Sequence, residues 1–192
     1  MPLPIERNIR CTAEDYYNLP DDVRAELIDG KIYFMAAPTQ EHQEIAGEIF
    51  RRIANYVADN RGPCKVLIAP FDVKLKDKKN EDNIVQPDII VVCDPQKLNG
   101  KECVGAPDFV IEISSPTNAT NDYVRKLQLY ETAGVGEYWI VNPTERTIVV
   151  YSFMNVKDVI GVYSFENVIK PGIYDDLEID FKEVMRTIGA SE

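Results

Sequence analysis

Two carboxylates stand where strands normally carry apolar side chains. Pro87-Asp88 lies inside the apolar run Ile84 to Cys93, and Glu112 lies in the middle of a second run, Asp108 to Ser114. A carboxylate buried without a partner costs several kcal/mol, so each acid needs a cation, a hydrogen-bond network or a metal. Strand alternation sets Asp88 on one side with Ile84, Gln86 and Ile90, and Glu112 on one side with Val110 and Ser114. On neighbouring strands in suitable register, both acids would point to the same face. Pro87 cannot donate to a ladder and marks a bulge or edge at the position that presents Asp88. Two carboxylates, the backbone carbonyl of Ile113 and several waters would suit Mg²⁺ or Mn²⁺. Such an ion polarises a phosphoryl oxygen and generates hydroxide near neutral pH. Asp122, Lys126 and Tyr130 are spaced four apart, on one face of a helix that follows the Glu112 strand. Lys126 would orient an attacking water or stabilise the charge of a pentavalent phosphorane. The bland alternative is a surface Asp122–Lys126 pair worth about a few tenths of a kcal/mol, with Asp88 and Glu112 as structural ion-pair partners.

The elements that must position these groups follow from pattern. Thr12-Ala13-Glu14-Asp15 reads as a capped helix start, ending near Leu19-Pro20. Asp29-Gly30 between the apolar runs Ala25–Ile28 and Ile32–Met35 reads as a hairpin turn. From Thr39 to Asp59, Ile45, Ile49, Ile53 and Val57 recur every four residues and predict a long amphipathic helix. A strand is expected over 65–75. The runs over 84–93 and 108–114 show little polar alternation, as inner strands covered on both faces do. A helix over 118–133, stopped by Gly134 and preceded by a turn and cap at Ser115-Pro116-Thr117-Asn118, then leads into a strand over 137–141. Strand, crossover helix and strand imply partly parallel pairing. Strands over 147–153 and 162–169 would form a meander, and 181–188 a short closing helix. The fold class is an α/β domain with a mixed sheet flanked by helices. Residues 1–192 are expected to form one domain, with a core over 12–153 and appended strands and helix over 154–192.

Composition limits the partners. With 192 residues and 45% hydrophobic content, the chain can bury a full core. It has no apolar stretch approaching the roughly 20 residues that span a bilayer, and Met1 to Arg10 has no apolar segment like a signal peptide's. A cytoplasmic protein is expected. Cys11, Cys64, Cys93 and Cys103 show no C-x-x-C pairing, so neither a zinc site nor a disulfide is predicted, and Cys93 reads as a small buried thiol. The net charge of −11 excludes a protein that simply coats nucleic acid. An acidic chain can still act on phosphodiesters when a bound cation reverses the local field. The densest basic cluster, Lys74, Lys76, Lys78 and Lys79 beside Lys97 and Lys101, reads as solvated loop. Tyr130, Tyr138 and Trp139 read as core. A serine-hydrolase role for Ser114 or Ser115 fails for want of a nucleophile elbow.

Pro87-Asp88, Glu112-Ile113-Ser114-Ser115-Pro116 and Asp122-x3-Lys126-x3-Tyr130-x3-Gly134-Val135-x-Glu137-Tyr138-Trp139, taken in order, resemble the Uma-two group of bacterial endonucleases. That group falls in the PD-(D/E)XK, or restriction-endonuclease-like, superfamily. The likeness extends upstream through Glu26-Leu27-Ile28-Asp29-Gly30 and His42. It implies a restriction-endonuclease-like core and Mg²⁺-dependent hydrolysis of phosphodiester bonds, with DNA as the expected substrate. Asp88 and Glu112 match the metal-binding acids. The superfamily's lysine, expected two residues after the glutamate, is here Ser114, and Lys126 takes its place. Glu26 matches a family glutamate that would be a further metal ligand or a water-positioning base, or else a strand-end charge. His42 matches a family histidine that would contact phosphate or shuttle a proton, or else serves structure. A homodimer is expected from apolar residues in the C-terminal strands. Two other functions stay open: a nucleic-acid or protein binding module that does not cleave, and a metal-dependent hydrolase of a small phosphodiester or nucleotide.

Overall fold

The computed structural model describes residues 10–79, 81–114, 121–154 and 159–189. Helix α1 (Ala13–Tyr17) opens with a capping box: the Thr12 side chain accepts from the Asp15 N–H while the Asp15 carboxylate accepts from the Thr12 N–H. Strands β1 (Ala25–Ile28) and β2 (Lys31–Phe34) form the expected hairpin, with Asp29 and Gly30 both at positive φ in its turn. Helix α2 (Gln40–Asp59) is capped by Thr39, and its stripe Ile45, Ile49, Ile53 and Val57 is buried. Each fully buried isoleucine contributes roughly 2 kcal/mol.

The run expected as one strand over 65–75 is two, β3 (Lys65–Ile68) and β4 (Asp72–Lys76). The run over 84–93 is likewise β5 (Asp82–Val85) and β6 (Ile89–Val92), interrupted at Gln86-Pro87-Asp88. Each pair crosses between two sheets, so the single central sheet expected from sequence is replaced by two sheets that share a seam. Val73 faces Val85 in one sheet and Ile68 faces Ile89 in the other. Five residues advance from Ile68 to Val73 but only four from Val85 to Ile89, so the seam holds a one-residue bulge on the side of Pro70. The interruption inferred from Pro87 is present, and it also ends the alternation assumed for Asp88. Ile84 packs with Tyr16, Ala25 and Leu27, whereas Ile90 packs with Val110 and Tyr138.

After a short turn the chain adds β7 (Glu102–Val104), a strand that the charged loop sequence conceals, and then β8 (Phe109–Ile113). A π-helical turn (Asn121–Lys126) runs into α3 (Leu127–Ala133), which ends on Gly134 in the left-handed region. The Ser115–Asn118 cap and the side chain of Asp122 lie outside the described residues. Strand β9 (Glu137–Asn142) pairs parallel to β8, as the crossover requires. The meander follows with β10 (Thr147–Ser152) and β11 (Val159–Ser164), then the short pair β12 (Val168–Ile169) and β13 (Ile179–Asp180), and helix α4 (Phe181–Thr187).

One sheet has the order β2-β1-β5-β4-β7 and the other β11-β10-β9-β8-β6-β3, each with one parallel pair. Helices α2 and α4 cover one face of the larger sheet, packing on Ile89, Phe109, Ile111, Ile113 and Trp139. Helix α3 packs on the opposite face with Ile90, Val110, Tyr138 and Ile140. Strands β6, β8 and β9 are accordingly buried almost throughout. Cys64 and Cys93 are joined in a disulfide, contrary to the sequence expectation. They lie one step beyond the Lys65–Val92 pair, and only the strand register reveals that they face each other. Cys11 and Cys103 are free thiols. Among the described residues no helix is long and apolar enough to cross a membrane.

Candidate active site

The acids, the lysine and the histidine singled out in the sequence gather where the two sheets meet. Ile89 faces Ile111 across the β6–β8 pair, so the next step along sets Asp88 opposite Glu112. Glu112 lies on the α3 face between Val110 and the strand end, and is buried to 4% exposure. Its Oε1 accepts from Lys126 Nζ at 2.8 Å and from the Tyr130 hydroxyl at 2.8 Å. Lys126, itself 3% exposed, also meets Glu26 Oε1 at 2.8 Å. One ammonium thus bridges a glutamate of each sheet. Glu26, on β1, accepts in addition from the backbone N–H of Gln86 at 2.9 Å. Lys126 ends the π-helical turn, and such a widened turn is a recurrent way of aiming side chains at functional sites.

Asp88 turns along the sheet edge. Its Oδ2 accepts from the Ile113 N–H at 2.7 Å and lies 3.2 Å from His42 Nε2. His42 sits in the first turn of α2, whose N-cap Thr39 accepts from the His42 N–H. Burial pulls the imidazole pKa down, but the hydrogen bond and charge of Asp88 push it up and prevail, leaving it above the ordinary histidine value. His42 Nδ1 is buried without a hydrogen-bond partner among the described residues. Lys126 is therefore no surface pair, and Asp88, Glu112, Glu26 and His42 all belong to one polar cluster.

Two participants, Gln86 and Arg24, escaped sequence reasoning, and a third, Tyr130, was read only as core. The Tyr130 ring is core, fully buried against Tyr138, yet its hydroxyl holds Glu112. Its spacing of four from Lys126 was the available signal. Gln86 forms a second tier: its Nε2 donates to Asp72 Oδ1 at 2.9 Å and to the Tyr16 hydroxyl at 3.3 Å, and its Oε1 accepts from Arg24 Nε at 3.3 Å. Arg24 gave no signal, because it follows Asp21 and Asp22 in a stretch that reads as charged loop. Half of the basic cluster read as solvated loop is engaged by protein, and Lys74 and Lys76 stand on β4. Lys74 and Lys76 both pair with Asp82, and Lys97 donates to the Ala106 carbonyl.

The donor chemistry suits a hard divalent cation. Asp88 and Glu112 bring carboxylate oxygens to facing positions, and the Ile113 carbonyl lies beside them in the chain. Among the described residues no three His, Cys, Asp or Glu side chains converge to hold a metal. A protein contribution of two carboxylates, completed by waters and substrate, is the usual pattern for Mg²⁺.

Residues 13–160 match the family model Uma2, described as "Putative restriction endonuclease". An uncharacterised protein of Synechocystis, slr1290, is 28% identical over 145 residues, which cover 74% of each chain. The fold is similar to the crystal structure of a protein from Anabaena variabilis, described as a putative nuclease belonging to DUF820. The TM-score is 0.73 at 22% identity, covering 92% of this chain and 98% of that one. The restriction-endonuclease-like architecture expected from the sequence is the one found, and the chain belongs to the Uma2 family of restriction-endonuclease-like proteins.

Proposed function

We propose that the protein is a metal-dependent nuclease of the PD-(D/E)XK type that hydrolyses phosphodiester bonds in DNA. The observation that carries this reading is the convergence of Asp88 from the β5–β6 corner, Glu112 from β8 and Lys126 from the π-helical turn. Asp88 and Glu112, with the Ile113 carbonyl, would hold Mg²⁺ or Mn²⁺. When bound, the cation supplies Lewis-acid polarisation of the phosphodiester and a lowered pKa for the attacking water.

The other steps belong to the chain's own groups. Lys126 holds a fixed positive charge beside Glu112, where negative charge grows as the phosphorus becomes five-coordinate. Tyr130 and the Gln86 N–H orient Glu112 and Glu26, respectively. Glu26 is the second acceptor of Lys126 and would serve as a further metal ligand or a water-positioning base. His42 Nε2 and the Ile113 N–H both hold Asp88 Oδ2, and His42 is the group placed to pass a proton. Two copies are proposed to act as a homodimer through β11, the terminal strand of the larger sheet. The engagement of Lys74 and Lys76 by Asp82 favours a second reading, a hydrolase of small phosphodiesters that needs no basic track.

The test is cleavage of supercoiled plasmid and labelled single strands at low salt with Mg²⁺ or Mn²⁺, beside turnover of bis(p-nitrophenyl) phosphate. Metal-dependent cutting that disappears in Asp88→Ala and Glu112→Ala is the expected result. Turnover of the small ester alone would replace the polynucleotide by the second reading. No turnover of either, with no Mn²⁺ uptake by calorimetry, would leave the acids as structural charges.

A further inference from the structure

A nuclease site needs a cation for the substrate as well as one for its own acids. Lys126 is held by both Glu26 and Glu112, so its charge acts beside Glu112 and does not grip the outer oxygens of the substrate. Arg24 differs. It lies two residues before Glu26 on the same extended stretch, which sends both side chains off the same side of the backbone. It is half-buried, and among the described residues it forms no ion pair. Among the described residues its only side-chain hydrogen bond is from Nε to Gln86 Oε1 at 3.3 Å, so both terminal amino groups of the fork are unengaged by them.

Its placement is built. Gln86 is pinned through Nε2 by Asp72 and Tyr16, which turns the amide oxygen toward Arg24. The backbone N–H of the same Gln86 holds Glu26. Arg24 is also near enough to His42 for its charge to oppose protonation of the imidazole. The guanidinium is therefore tied through Gln86 to Glu26, at the border of the cluster. A guanidinium fixed at Nε with two free amino groups has the shape that grips two oxygens of one phosphate.

Accepting the nuclease reading, we propose that Arg24 binds the non-bridging oxygens of the substrate phosphodiester, making it the substrate-anchoring residue of this site. With a net charge of −11, the protein has no excess of basic charge to share among phosphates, so losing one contact should be conspicuous.

The experiment is steady-state cleavage of a duplex oligonucleotide with Mn²⁺ over a series of KCl concentrations, comparing wild type, Arg24→Gln and Arg24→Lys. A charge-assisted contact of this kind is worth about tenfold, read as a KM rise of about tenfold in Arg24→Gln with little change in kcat. The slope of log KM against log salt should fall by about 0.9 in Arg24→Gln and stay near wild type in Arg24→Lys. Mn²⁺ affinity by calorimetry should be unchanged in both. If wild type cleaves and Arg24→Gln shows the same KM and slope, Arg24 is a solvated surface charge and the proposal falls. A drop in kcat and thermal stability with an unchanged slope also overturns it, assigning Arg24 to the support of Gln86 and Glu26. A wild type that cleaves no polynucleotide removes the nuclease reading itself, and this proposal with it.

Discussion

Lys126 carries the electrostatics of the site at the level of single residues. One ammonium sits between two carboxylates that are each less than a tenth exposed, and it is itself almost completely buried. Removing it would leave two buried acids without their cation. Lys126→Met is therefore expected to lose about 3–5 kcal/mol of stability in urea unfolding as well as activity, far more than the few tenths of a surface pair. A loss under 1 kcal/mol would mean that the glutamates find other partners. Asp88 and Glu112 were legible in the sequence for the same reason that they are costly, since charges inside apolar runs demand an explanation, whereas Lys126 was legible from its helical spacing and the family resemblance. Arg24 and Gln86 were illegible because a polar residue among polar neighbours demands none. Tyr130 was half legible, since its ring fills the core as an aromatic there should, while its hydroxyl binds Glu112.

Among the elements, β9 starts on a buried acid. Glu137 accepts from Trp139 Nε1 and from the Gly172 N–H, and Gly172 is needed there because a Cβ would come within 2.5 Å of Glu137 Oε2. Burial raises the Glu137 pKa above the ordinary glutamate value, against the pull of those two donors. The folded state thus holds a proton that the unfolded chain releases, so stability contributed by Glu137 is present below its ordinary pKa and lost as pH rises through the raised one. Thermal melts from about pH 4 to pH 8 should show a fall across that window that is flattened in Glu137→Gln. An identical pH profile for the variant would remove this account. Element type was readable wherever one period ran long: α2, the β1–β2 hairpin and the β8–α3–β9 crossover lie where their patterns place them. Strand partition was not readable. Two continuous runs each divide between sheets, because prolines at 70 and 87 break pairing that hydropathy alone would continue. The Cys64–Cys93 bond depends on that register, so spacing in the sequence could not reveal it.

At the scale of the whole molecule, the acidic surface has a conspicuous uncharged border among the described residues. Strand β11 ends the larger sheet, carries no charged residue from Val159 to Ser164, and exposes Ile160 and Val162 at 63% and 69%. Such edges usually carry lysine or proline to prevent pairing, and this one carries neither. Antiparallel pairing of two copies along β11 obeys two-fold symmetry. Sedimentation velocity at micromolar concentration should therefore report a dimer, and Val162→Lys should return it to monomer with its fold unchanged. A wild-type monomer would dispose of this interface.

The bulge at the seam between the sheets sets a phase. Upstream and downstream of it, inside and outside are assigned by counts that differ by one residue. Within 68–73, substitution can therefore be tolerated where insertion or deletion cannot. A single added or missing residue would reverse the faces of one flanking strand and carry the Asp88 corner away from Glu112. Through this region the number of residues matters to the site more than their identity.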